Sequence, residues 1–101
     1  MVTEGAFRTA VLSLPHVTAA PHFDRLAYRR RIIFASLAAD GASANLLLPA
    51  QRQLELIARF PQALQRVANK WGSRGWTSVN LKAVDLGDIE YLLKIAFEHA
   101  A

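Results

Sequence analysis

The stretch RIIFASLAADGASANLLL, residues 31–48, contains two apolar runs that are separated by an Asp-Gly pair. The first run covers residues 31–38 and the second covers residues 44–48. Asp40 and Gly41 lie between them, and Asp-Gly favours the positive φ angles of a tight hairpin turn. The pattern therefore predicts two antiparallel strands joined at this point.

Further short strands are expected on both sides of this hairpin. Residues 17–19 and 26–29 precede it, and residues 64–68 follow it as an irregular segment or a short strand. Residues 76–82 alternate with a period of two, which is typical of a strand with one buried face. One face would carry Thr77, Val79 and Leu81, and the other Trp76, Ser78, Asn80 and Lys82.

Three segments show the periodicity of amphipathic helices. The first begins after Thr3 and ends before Pro15, the second begins at Pro49 and ends by Pro61, and the third begins after Asp85. The apolar stripe expected on the second helix is Ala50, Leu54, Ile57 and Ala58, widened by Leu56 and Phe60. We therefore expect a single α+β domain over residues 1–101, an antiparallel sheet with helices packed on one face in the order α-β-β-β-β-α-(β)-β-α.

Composition excludes several classes of protein. No cysteine is present among the 101 residues, so a disulfide framework, a thiolate metal site and a cysteine nucleophile are excluded. The N-terminal stretch lacks the basic region of a signal peptide, and the longest apolar run is shorter than the ~20 residues of a membrane span. We expect a cytoplasmic protein without a membrane partner.

The charge is unevenly distributed along the chain. Residues 1–82 hold 11 cations and 4 anions, a net charge of +7, whereas residues 83–101 hold 1 cation and 4 anions, a net charge of −3. A basic surface attracts phosphate polyanions regardless of their sequence. DNA is therefore a candidate partner.

No constellation typical of catalysis is present. The three histidines lack the spacing of metal ligands, and WGSRGW lacks the Gly-Lys-Ser/Thr ending of a phosphate-binding loop. Asp24 lies near His22, but Pro21 and Asp24 are typical of an ordinary turn. The sequence thus predicts a non-enzymatic protein with no metal and no cofactor, and nothing in it predicts an oligomeric state.

Two basic or aromatic segments are candidate contact surfaces. Arg29, Arg30 and Arg31 precede an apolar strand, where they form either a phosphate-contacting hairpin tip or a charged strand end. In NKWGSRGWTS, residues 69–78, Trp76 would lie on a polar strand face beside cations, as in proteins that stack bases. The tryptophans would alternatively fasten an irregular loop, which is the preferred interpretation of these residues.

The order of four segments resembles the MmcQ/YjbR-like family. They are LSLPHVTAAPHF at residues 12–23, RIIFASL at 31–37, ANLLLP at 44–49 and WGSRGWTSVNL at 71–81. Two motifs match residue by residue: Pro21, His22 and Phe23, and then Trp71, Gly72, Gly75, Trp76 and Thr77. The resemblance implies a compact α+β fold of double-wing type and a DNA-binding label. Two departures are Asp24, where the family usually has Gly, and a shorter, arginine-rich first hairpin.

Two functions are consistent with these observations. One is a DNA-binding domain with weak, phosphate-directed affinity; its contact residues would be Arg29, Arg30, Arg31, Lys70, Arg74, Trp76 and Lys82. Base-specific reading is not expected, because no helix carries a set of major-groove readers. The alternative is a protein-interaction or small-ligand module that uses an aromatic cluster of His22, Phe23, Trp71 and Trp76.

Overall fold

The computed structural model describes residues 1–101. Its helices and strands follow one another as α1 (Glu4–Leu12), β1 (Thr18–His22), β2 (Arg25–Arg29), β3 (Ile33–Leu37), β4 (Ser43–Leu47), α2 (Ala50–Arg59), β5 (Leu64–Arg66), β6 (Trp76–Asn80) and α3 (Leu86–His99). Two short 3₁₀ helices, Gly72–Arg74 and Leu81–Ala83, flank β6. The predicted fold class and order of elements are confirmed, and the short strand left open in the sequence is β5.

The six strands form one antiparallel sheet in the order β1-β2-β3-β4-β6-β5. Its register places Tyr28, Ala35, Leu46 and Thr77 in one row across β2, β3, β4 and β6. All four are buried, because the three helices cover this face. Successive side chains of a strand point to opposite faces of the sheet. The residues next to these four along each strand therefore point to the other face, which no helix covers.

Aromatic residues connect the helices to the sheet. Phe7 of α1 packs edge-on against Tyr28, with 6.0 Å between ring centroids, and Phe34 packs in the same way against Phe97 of α3. Phe34 lies at an irregularity where the register shifts between Tyr28 and Arg29. That shift allows both Phe34 and its neighbour Ala35 to be fully buried.

The predicted helix starts are confirmed at both ends of the chain. The Thr3 hydroxyl accepts a hydrogen bond from the Ala6 N–H at 3.1 Å. Asp85 and Asp88 form a capping box at the start of α3, which satisfies backbone N–H groups that the helix leaves free. None of the three α-helices combines the length and the hydrophobicity that a membrane-spanning segment requires.

The buried side of α2 differs from the predicted stripe. Gln53 and Leu56 are fully buried, whereas Leu54 is 69% exposed and Ala50 and Ala58 also face solvent. The reason is that α2 packs over one end of the sheet, near β5, so that only a narrow strip of the helix is covered. Polar Gln53 is accommodated in that strip because it has hydrogen-bond partners there.

The hairpin between β3 and β4 is confirmed, although its turn is longer than the tight turn expected. Residues 38–42 connect the strands, and only Gly41 has a positive φ, of 69°. The Asp40 carboxylate accepts the Ala42 N–H at 2.9 Å. In this turn Gly41 supplies the left-handed backbone conformation, and the Asp40 side chain closes a turn by its hydrogen bond to the backbone.

The predicted strand over residues 76–82 is wrong at its end. β6 stops at Asn80, whose side chain accepts the Lys82 N–H at 3.1 Å and begins a 3₁₀ helix. Leu81 then enters the core, with 1% of its surface exposed. Lys82 consequently does not share a strand face with Trp76.

The Tyr28 hydroxyl is buried and has no hydrogen-bond partner. An unpaired buried polar group costs about 1–3 kcal/mol, so we expect Tyr28→Phe to keep or raise the free energy of unfolding, by up to ~1 kcal/mol. Urea denaturation followed by circular dichroism measures this change. A loss of more than ~1 kcal/mol would show that the hydroxyl is satisfied in solution.

Tyr28→Phe should also change how the stability of the protein depends on alkaline pH. Burial raises the pKa of the Tyr28 phenol, with Arg8 opposing and Glu4 reinforcing that change. The unfolded chain ionises this phenol near pH ~10 while the folded chain keeps it neutral, so stability falls as the pH rises above that value. Tyr28→Phe should therefore lose less stability than the wild type above pH ~10.

Candidate functional site

The face of the sheet opposite the helices, called here the open face, carries a row of small and polar side chains. Its register aligns Ala27, Ser36, Asn45 and Ser78 on β2, β3, β4 and β6. Larger side chains stand beside this row, including Arg25 on β2 and Trp76 on β6. Small residues between large ones create a depression in the sheet surface.

That depression is a cavity of about 300 Å³. Five of the residues that line it are apolar and five are polar, and none is acidic. They are His22, Arg25, Ala27, Ile33, Ser36, Asn45, Val67, Asn69, Trp71 and Trp76. A cavity with a guanidinium and no carboxylate favours an anionic or neutral ligand over a cation.

Arg25 is held in a fixed position within the cavity. Its Nε donates to the Ser36 Oγ at 2.8 Å, and its Nη2 donates to the Ser36 carbonyl at 3.3 Å. The ion pairs of the protein are Arg8 with Glu4 and Arg52 with Glu55, so no carboxylate neutralises Arg25. Arg25 is not among the contact residues predicted from the sequence. The signal in the sequence is its position three residues after His22, across a predicted turn.

The tryptophans differ in their exposure. Trp76 is half-buried on β6, whereas 45% of Trp71 is exposed at the start of the 3₁₀ helix. The guanidinium of Arg74 lies 4.8 Å from the centroid of the Trp71 ring, and the Lys70 ammonium lies 5.7 Å from it. Trp71, Lys70 and Arg74 thus form an aromatic and cationic border beside the cavity.

The loop that carries these tryptophans is attached to α2 by Gln53. The two N–H groups of the Gln53 Nε2 are shared among three acceptors, the Gly72 carbonyl at 3.0 Å, the Trp76 carbonyl at 3.2 Å and the Thr77 Oγ1 at 3.0 Å. Its Oε1 accepts from the Arg66 Nε at 3.1 Å. We call this network the Gln53 hub.

Gln53 is not part of the apolar stripe that the sequence predicts for α2. A signal for its burial was nevertheless present, because Gln53 precedes Leu56 by three residues and Ile57 by four. These spacings place it on the side of the helix that packs against the sheet. An uncharged polar residue at such a position is typical of a buried hydrogen-bond network.

Two glycines of the loop are required by close backbone approaches. Gly75 has a φ of +112°, and a Cβ on it would lie 2.0 Å from the Leu48 carbonyl oxygen. A Cβ on Gly72 would lie 2.0 Å from the Val67 carbonyl oxygen. The tryptophan motif is therefore a structural fastening through its glycines and backbone, and Gln53 is the residue to which it is fastened.

The three consecutive arginines do not form one solvated tip. Arg30 donates to the Phe97 carbonyl at 2.9 Å, and its guanidinium lies 3.9 Å from the Phe97 ring centroid. Arg31 lies in the exposed turn between β2 and β3. Arg29 pairs with Ile33, which lines the cavity, and alternation along β2 places it on the same face as Arg25.

The aromatic cluster expected from the sequence is not present. Phe23 is 94% exposed in the turn after β1, with a φ of 57°, and together with Pro21 it borders a separate cavity near α1. Its ring packs only on that of His22, 4.8 Å away between centroids. His22, Trp71 and Trp76 line the open-face cavity without Phe23, because Phe23 lies in the exposed turn beyond the end of β1.

The remaining candidate residues lie outside this arrangement. Lys82 is exposed on the 3₁₀ helix after β6 and does not line the cavity. No three of the His, Asp and Glu side chains come together in a group that could hold a metal ion. One histidine, His22, lines the cavity.

Together these features define a small α+β domain with a six-stranded antiparallel sheet, covered by helices on one face and bearing a cationic cavity on the other. The model of the YjbR family matches residues 12–99, and the chain belongs to this family. The family resemblance noted in the sequence is thereby confirmed.

The fold is also that of a solved structure. The crystal structure of Deinococcus radiodurans protein DR2400, with a DUF419 domain, superposes with a TM-score of 0.80 at 20% sequence identity. The match covers 96% of this chain and 77% of the other. At this identity the likeness shows the fold alone. No curated protein matches the chain.

Loss of the Gln53 hub should destabilise the protein. Gln53→Ala removes a buried side chain, takes one hydrogen bond from each of three acceptors and leaves the Arg66 Nε without its acceptor, so we expect a loss of about 2–4 kcal/mol in the free energy of unfolding. Gln51→Ala, on the exposed side of the same helix, is the matched control and should change it by less than ~0.5 kcal/mol. Urea denaturation measures both. Equal stabilities of the two variants would refute the role assigned to the hub.

A substitution at Gly75 should be equally severe. Gly75→Ala combines a left-handed φ with the clash against Leu48, and we expect it to cost about 3 kcal/mol or more. Gly5→Ala is the control, because a Cβ there meets no atom within 4 Å and the residue lies in α1, where Ala gains about 0.5–1 kcal/mol. Thermal unfolding compares the two. A Gly75→Ala protein as stable as the wild type would show that the loop moves away from Leu48 without cost.

Proposed function

We propose that this protein is a non-enzymatic DNA-binding domain that uses the open face, with weak affinity directed mainly at phosphates. The observation that carries the proposal is Arg25, a guanidinium fixed by two hydrogen bonds to Ser36 inside a cavity without carboxylates. A charged donor that is already ordered loses little side-chain entropy when it binds a phosphate.

The other exposed cations of the open face support this interpretation. Lys70 and Arg74 lie beside Trp71, and Arg29 lies on the same side of β2 as Arg25. None of these four residues forms an ion pair within the protein. Arg30 is engaged by α3 and Lys82 lies elsewhere, so neither is part of the proposed contact surface.

The cavity does not support an assignment as an enzyme. General acid and base catalysis needs at least one positioned proton acceptor or donor, most often paired with an orienting group. His22 is the one such group that lines the cavity, and no carboxylate orients it. The proposed function is therefore a binding function.

A second candidate function is the binding of a small organic ligand. Its support is the cavity itself, because a volume of about 300 Å³ lined equally by apolar and polar residues falls in the range of small-molecule sites. Binding of an uncharged ligand there would respond little to salt. This response separates it from phosphate-directed binding.

The proposal predicts salt-sensitive binding. A labelled DNA of mixed sequence, offered as a duplex and as a single strand, is titrated with the protein at about 50 and about 200 mM salt and followed by fluorescence anisotropy. Each phosphate contact contributes about −0.9 to the log–log slope for a duplex and about −0.7 for a single strand. The variant with Arg25, Lys70 and Arg74 all changed to Ala should flatten the slope by about 2–3.

The control is Arg8→Ala, which removes a positive charge from α1 on the helix side of the molecule. It should leave the slope nearly unchanged. Absence of binding to both forms of DNA at about 50 mM salt would reject the proposal. Equal slopes for the Arg8 variant and the triple variant would place the contact on another surface.

A further inference from the structure

The dimensions of the open-face cavity restrict which part of a nucleic acid can enter it. Its volume of about 300 Å³ lies at the lower end of the ~300–1,000 Å³ typical of small-molecule pockets. Ile33, Val67 and the two tryptophans supply its apolar surface. A space of this size and lining accepts one flat ring system and is too small for a duplex.

The cavity also contains a carboxamide that has no partner within the protein. Asn45 lies between Ser36 and Ser78 in the row across the sheet, and the Ser36 hydroxyl is already occupied by Arg25. The Asn45 side chain makes no hydrogen bond to any other residue. Its amide offers two N–H donors and an acceptor, the set with which asparagine pairs with the edge of a base, most favourably adenine.

The groups that would hold phosphates border the same cavity. Arg25 lines it directly, and Lys70 and Arg74 flank the ring of Trp71, which also lines it. Stacking surface, a base-edge reader and phosphate donors are therefore all present in one depression. Bound single strands commonly combine stacked bases with a cationic path for the backbone.

We propose that the open face binds single-stranded nucleic acid by taking one unpaired base into the cavity. The base lies against the tryptophan rings and pairs with Asn45, while Arg25, Lys70 and Arg74 hold the flanking phosphates. In a duplex the same base would first have to be unstacked and unpaired, so the single strand is preferred. This inference rests on the proposed function and adds to it the form of the nucleic acid and the residues that select it.

The test compares two forms of one oligonucleotide. A labelled deoxyadenylate of about 12 nucleotides, within the ~4–16 nucleotides that one small binding fold covers, is titrated with the wild-type protein alone and after annealing to its complement. We expect the single strand to bind about 10-fold more tightly at equal salt and to quench tryptophan emission. A deoxythymidylate of the same length should bind more weakly than the deoxyadenylate.

Variants separate base contacts from phosphate contacts. Asn45→Ala and Trp71→Leu alter side chains that face the cavity, and each should weaken single-strand binding by about 10-fold without changing the salt slope. Asn45→Ala should also abolish the preference for deoxyadenylate. Arg25→Ala should instead flatten the slope by about 0.7. Circular dichroism verifies that each variant is folded, and Arg8→Ala, on α1 and outside the open-face cavity, serves as the control.

Each remaining outcome contradicts the inference. Equal or tighter binding of the duplex would overturn it and leave the proposed function standing. Absence of binding to both forms at about 50 mM salt would reject the proposed function and this inference together. If adenosine monophosphate bound as tightly as the oligonucleotide, the cavity would be a site for a free nucleotide. If the Asn45 and Trp71 variants kept the affinity of the wild type, the single strand would bind at another surface.

Discussion

The carboxamide of Gln53 connects parts of the chain that are far apart in sequence. It joins α2 to Arg66 on β5, to Gly72 in the loop and to Thr77 on β6. Gln53, Gly72 and Thr77 are buried, and an unpaired buried polar group costs about 1–3 kcal/mol. The partners therefore depend on one another. The same hydrogen-bond network fixes the position of α2 on the end of the sheet and the path of the loop before β6.

The open face depends on this network through the geometry of β6. Thr77 is turned toward the helices, where its hydroxyl accepts from Gln53 and donates to the Gly75 carbonyl. Because side chains alternate along a strand, Trp76 must then face the opposite side of the sheet. Gly72 and Gly75 bring the loop close to the ends of neighbouring strands, so Trp71 stands at the border of the cavity. Because contacts on the helix side of the sheet fix the residues of the open face, this surface is ordered before a ligand binds.

The sequence predicts most of the fold because the signals that specify it are local. Helix caps at Thr3 and Asp85, the Asp-Gly turn and the alternation of β6 each follow from residues within one turn or one strand. The role of Gln53 and the position of Arg25 do not follow from local pattern. Both depend on which strand lies beside which, and on side chains that are paired across 11 to 24 residues of sequence. The predicted aromatic cluster fails for the same reason, since Phe23 lies in the exposed turn after β1, away from the cavity that the two tryptophans line.

The fate of the arginines shows how the fold redistributes a basic sequence. The carbonyl ends of helices attract cations, and the C-terminal turn of α3 engages Arg30 through the Phe97 carbonyl and ring. Of the three consecutive arginines, Arg30 therefore stabilises the fold, whereas Arg29 and Arg31 remain exposed. The uncompensated positive charge of the open face comes instead from Arg25 and Arg29 on β2 and from Lys70 and Arg74 in the segment before β6. A field assembled in this way exists only in the folded protein, so any phosphate binding that uses it must be lost on unfolding even though the net charge of +4 is unchanged.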